Sequence, residues 1–144
     1  MKRITFLFTC GFACLILFAR VVSAQPSGSC KSNFPTPPYL NTADPDTSTS
    51  IEAIKASVIS KATRLIPPYA SLTITYFEYI LEGSKESKMD LVEGHVVGDT
   101  LKERDIRWFK MIGPGVTITI RCIHATNRQG RTLILAPKLY QSIE

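Results

Sequence analysis

Two histidines, His95 and His124, are the side chains in this chain best suited to proton transfer or metal ligation. Completed by Glu93, Asp99 or Asp105, they would suit a zinc site or an acid–base pair, the chemistry of a small metal-dependent hydrolase. Their spacing argues against it. Neither sits in an H-x-H or H-E-x-x-H arrangement, which would turn two imidazoles toward one ion. Glu78 and Glu82 share a strand parity, which sets them about 13 Å apart, wider than the carboxylate pair of a glycosidase. There is no G-x-S-x-G elbow, and in "IGPGV" Pro114 removes a donor that a phosphate loop needs. The sequence therefore predicts no catalytic residue, no metal and no cofactor.

The richer chemistry is that of contact. "RWFKMIGPGVTITIRC" reads as two apolar strands folded over a Gly-Pro-Gly turn, with the chain's only tryptophan beside the turn. Val116, Ile118 and Ile120 alternate with Thr117, Thr119 and Arg121, so the second arm has one dry face. The first arm carries aromatic residues on both sides of a strand, and half of them need cover from elsewhere. Interfaces select Trp and Arg as anchors. The candidate binding residues are Arg107, Trp108, Phe109, Lys110, Met111, Ile112 and Pro114, with Arg107 and Lys110 steering. The function expected is that of a secreted, non-enzymatic binding protein for an extracellular protein partner, in an inhibitory or a host- or environment-facing role. An anionic glycan or a membrane surface also suits these residues, whereas nucleic acid does not suit a weakly charged secreted chain. Two alternatives remain: a carrier with a small ligand or lipid inside a curled sheet, and the hydrolase on His95 and His124.

The compartment follows from the N-terminus. "MKR", the apolar run "ITFLFTCGFACLILFA" and the small residues of "VVSA" predict a signal peptide over residues 1–24, cut before Gln25. Losing Lys2, Arg3 and Arg20 leaves 14 basic and 12 acidic residues, so the secreted chain is only weakly cationic. From Thr100 onward it carries 8 basic and 3 acidic residues, a bias that favours an anionic partner or the acidic first half of the same domain. Cys30 and Cys122 are the cysteines that remain, and an oxidising compartment predicts a bridge between them. Free thiols or an intermolecular bridge are the alternatives.

The elements expected to position these residues are one helix and a meander. Residues 25–49 form a Pro-, Ser- and Thr-rich arm with apolar points at Phe34, Tyr39 and Leu40. Residues 50–144 form the domain. Thr49 and Glu52 have capping-box spacing, and Ile51, Ile54, Val58, Ala62 and Leu65 recur as one helical stripe until Pro67 and Pro68. About five strands follow. "SLTITYFEYILEG" changes phase near Phe77, which predicts a bulge, and Pro137 should interrupt the last strand. His124 falls in the row of Ile118, Ile120 and Cys122, so it should share their face. The fold class is α+β, one amphipathic helix packed on an antiparallel, roll-like sheet of about five strands. In outline this is similar to cystatin-like rolls, and "HVVG", His95 to Gly98, resembles their short Gly-ended loop. His95 replaces the expected Gln and the paired C-terminal disulfides are missing, so the likeness is one of architecture alone.

Overall fold

The computed structural model describes residues 30–43, 45, 51–85, 87 and 89–144. The expected signal peptide, residues 25–29 and Thr49 lie outside the described residues. The elements in chain order are β1 (Tyr39–Leu40), β2 (Glu52–Lys55), α1 (Ala56–Ile59), β3 (Leu65–Ile66), β4 (Leu72–Glu82) and β5 (Val92–Val97). They continue with α2 (Glu103–Lys110), β6 (Thr117–Asn127), β7 (Thr132–Leu135) and β8 (Lys138–Ile143). The fold is mostly β, with a six-stranded sheet in the order β2-β8-β6-β4-β5 and β7 added to the far half of β6. β2 runs parallel to β8, so the sheet is mixed. This overturns the expected single helix on an antiparallel sheet of five strands.

The expected helix after Thr49 is absent because its residues find better partners elsewhere. Glu52 and Ile54 point inward from β2: Ile54 joins the core and the Glu52 carboxylate lies 2.9 Å from the fully buried Lys138 ammonium. That contact is charge against charge, without the angles of a directed hydrogen bond. A buried lysine requires a counter-ion, and the extended segment beside β8 brings Glu52 to it. Helical geometry survives for a single turn, α1, and the loop after it. The backbone N–H groups of Thr63 and Arg64 then donate to Asn41 Oδ1 at 2.8 and 3.1 Å. Leu65 and Ile66 pair with Tyr39 and Leu40. Ala56, Ile59, Ala62 and Leu65 are all buried. The expected helical stripe does not hold: Ile51 is exposed, Val58 half-buried, and Ile54 and Leu65 lie in strands.

The phase change in β4 is present. The β4–β6 register shifts on either side of Tyr76, and Cys122 in β6 takes a positive φ of 50°. Arg121 faces Glu78 and His124 faces Tyr76, so β6 spends one residue more than β4 across that step. The extra residue flips the alternation. Ile118, Ile120, Ile123 and Ala125 are buried, and His124 emerges on the outer face, contrary to the row expected for it. Pro137 interrupts the last strand as expected, between β7 and β8.

The N-terminal arm is docked. Cys30 and Cys122 lie at disulfide distance, with sulfurs 2.03 Å apart across 92 residues. Asn33 and Phe34 donate their backbone N–H groups to the Ile134 carbonyl, and Ala136 donates to that of Phe34. Leu40 N–H donates to the Tyr140 hydroxyl at 2.9 Å inside the core. The described part of the arm, residues 30–43, is thus held against the sheet.

Candidate functional site

The segment that carries the candidate binding residues is α2, and it is a helix where a strand was expected. Asp105, Phe109 and Ile112 recur at four and three residues, and all three are buried. Arg104, Trp108 and Met111 repeat the same spacing one residue earlier, on a stripe about 100° around the helix that is exposed. The ends suit a helix: Glu103 and Asp105 lie in the first turn, Arg107 and Lys110 in the last. Arg107 reaches back to Glu103 at 3.2 Å, one helical turn away. The helical period leaves a single dry stripe, whereas strand alternation would have left two.

What fixes α2 on the inner face of the sheet is polar as well as apolar. The Phe109 ring meets Tyr79 edge-on at 5.4 Å. The Tyr79 hydroxyl donates to Asp105 Oδ1 at 2.8 Å, and Lys102 N–H donates to Asp105 Oδ2 at 3.2 Å. Lys102 has no acceptor to complete a reciprocal cap. Burial, then the hydrogen bond and charge of Asp105, push the Tyr79 hydroxyl pKa far up, so it stays a donor. Gly94 on β5 makes room for this tyrosine: a Cβ there would strike the Tyr79 ring and hydroxyl. The chain between β5 and α2 is held by Arg64, paired with Asp99 at 2.7 Å. Leu65 N–H donates to the Asp99 carbonyl and Leu101 N–H to that of Thr63.

The seven candidate residues therefore divide. Phe109 and Ile112 belong to the core, with Phe109 at 0% exposure. Trp108 is 37% exposed and Met111 65%, and Arg107, Lys110 and Pro114 are exposed around them. The turn beyond is fixed rather than projecting. Ser142 Oγ donates to the Gly113 carbonyl at 2.6 Å and accepts from Val116 N–H at 2.7 Å. Gly115 takes φ 80° there, where a side chain would be strained. At the other end of α2, His95, Val97, Lys102 and Arg104 line an open cleft of about 370 Å³. Arg104 belongs to both features, and Trp108 lies one helical turn further along.

The histidines are not brought together around a common ion. Tyr76 stands between them on the outer sheet face, its ring 6.2 Å from that of His95 and 5.5 Å from that of His124. They project from β5 and β6, the two neighbours of β4, roughly 9–10 Å apart across the sheet, whereas zinc holds each nitrogen at about 2 Å. Among the described residues no three His, Cys, Asp or Glu side chains group as metal ligands. The Tyr76 hydroxyl donates to Glu78 at 3.0 Å, and Arg121 Nε donates to the other Glu78 oxygen at 3.1 Å. Burial and then Glu78 raise the Tyr76 pKa. Sequence reasoning set Arg104 on the side of Trp108 but missed Tyr76, Arg121 and Lys102 as neighbours of the candidate residues. The Glu103–Arg107 spacing was a local signal for the helix that begins after Lys102.

No family model matches the chain, and no curated protein matches it. Among the described residues no helix is long and apolar enough to cross a membrane.

Proposed function

We propose that this is a secreted, non-enzymatic binding protein that contacts an acidic extracellular protein through the outer stripe of α2. The observation that carries it is the exposure of Trp108 and Met111 on the helix face that also bears Arg104, while the next residue in sequence, Phe109, is fully buried. A large aromatic left at the surface beside guanidinium groups is the composition of an interface anchor. Arg104 lies one helical turn before Trp108, largely exposed although 3.6 Å from the buried Asp105 carboxylate, and Arg107 adjoins Trp108 in sequence, paired with the exposed Glu103. Such a field speeds encounter with an acidic surface. The signal-like N-terminus and the Cys30–Cys122 pair support an oxidising, extracellular setting.

The test uses the only tryptophan. Iodide should quench the fluorescence of Trp108, and a bound partner should protect it. Trp108→Ala should weaken capture of acidic extracellular proteins by about tenfold or more, the scale of an interface anchor, without lowering the melting temperature to match. A blue-shifted emission that iodide does not quench would place the ring in the core and end the proposal.

A further inference from the structure

β5 is an edge strand: among the described strands it pairs with β4 alone. Its open side can be assigned residue by residue. Gly98 N–H donates to the Thr75 carbonyl of the β4 side at 2.8 Å, and backbone groups on an antiparallel strand alternate in direction. Val96 and Gly94 therefore bond to β4, while Glu93, His95 and Val97 turn their N–H and carbonyl groups outward. His95 and Val97 also form one wall of the cleft, and Lys102 and Arg104 form the other. Unpaired strand hydrogen bonds and two cations thus face the same space. Arg104 lies 3.6 Å from the buried Asp105 carboxylate but keeps its guanidinium largely at the surface, while Glu103 is paired with Arg107 and Glu78 with Arg121, which leaves Lys102 as the cation with no carboxylate drawn to it among these. Glu93 is an exposed carboxylate on this edge.

We propose that the partner is read as an extended acidic segment, which adds to the free edge of β5 as a further strand and sets its carboxylates against Lys102 and Arg104. Main-chain hydrogen bonds to Glu93, His95 and Val97 supply sequence-independent affinity, and the cations select acidic side chains at alternate positions. The proposal rests on the functional reading above in taking Trp108, one helical turn beyond Arg104, as the neighbouring anchor.

The probe is a blocked, strand-length peptide alternating Val and Glu, compared with the same peptide carrying Lys in place of Glu. The acidic peptide should slow amide exchange at Glu93, His95 and Val97 by about tenfold or more, leaving Gly94 and Val96 nearly unchanged because β4 already protects them. The Lys peptide should do neither. Lys102→Gln with Arg104→Gln should weaken the acidic peptide by about tenfold while the melting temperature holds. Binding that alters Trp108 fluorescence but leaves the three amides unprotected overturns strand addition and leaves the α2 surface standing. Protection of the amides that Trp108→Ala does not weaken supports the edge and removes the tryptophan anchor. Equal binding of both peptides, or none, overturns the proposal. Protection that grows with protein concentration in the absence of peptide assigns the edge to a second copy of this chain and overturns it too.

Discussion

Removing the Asp105 carboxylate should loosen α2 from the sheet, and the cost can be assembled from its contacts. In Asp105→Ala the Tyr79 hydroxyl, on a residue only 1% exposed, loses the acceptor it holds at 2.8 Å. A buried donor left without a partner costs about 1–3 kcal/mol. Lys102 N–H also loses its acceptor at the start of the helix, worth about 0.5–1 kcal/mol for so long a bond. The expected loss is therefore about 2–4 kcal/mol, read from urea unfolding with an unchanged slope. Tyr79→Phe separates the terms. It removes the donor that Asp105→Ala strands, so the two substitutions together should cost at least about 1 kcal/mol less than their sum. Costs that add within about 0.3 kcal/mol would refute the idea that this hydrogen bond anchors the helix.

Three further outcomes follow from the same contacts. Stability should fall above pH 10: the folded state holds the Tyr79 and Tyr76 pKa values above the ordinary 10.0, the unfolded chain ionises first, and stability is lost as pH rises from there through the folded pKa values. An alkaline urea series should show this decline lessened in Tyr79→Phe. Gly94→Ala should cost about 1–3 kcal/mol, because the new Cβ would displace the Tyr79 ring, and an unchanged urea midpoint would show that the ring does not press on this glycine. Breaking the buried pair with Lys138→Met should cost about 3–5 kcal/mol, whereas Glu52→Leu with Lys138→Met should recover most of it, with thermal unfolding as the check.

Much of the periphery was legible in the sequence because local chemistry decides it. The proline-rich arm with docking points at Phe34 and Leu40, the irregularity in β4 and the break at Pro137 each follow from a few neighbouring residues, whereas the pairing of Cys30 with Cys122, 92 residues apart, follows from their being the two cysteines left after the expected signal peptide. The helix α2 was misread as a strand, although Glu103 with Arg107 and the triplet Asp105, Phe109 and Ile112 carry helical spacing. Strand alternation fits "DIRWFK" almost as well, since six residues distinguish a period of two from one of 3.6 poorly.

Other features depended on partners distant in sequence. Glu52 is extended beside β8, where its carboxylate meets the buried Lys138, 86 residues away in sequence, and no local preference of residues 51–65 contains that fact. His124 faces outward because Cys122 adopts a left-handed bulge inside a ladder, which reverses every side chain after it. The candidate surface divides in the same way. The sequence alone determined that Trp108 stands close in sequence to Arg104, Arg107 and Lys110. Only the tertiary structure decided that Phe109 is consumed by Tyr79, that Trp108 is left at the surface, and that the open edge of β5 lies beside Lys102 and Arg104. The reason is physical: a side chain's type is local, but its burial is set by whatever the rest of the chain brings against it.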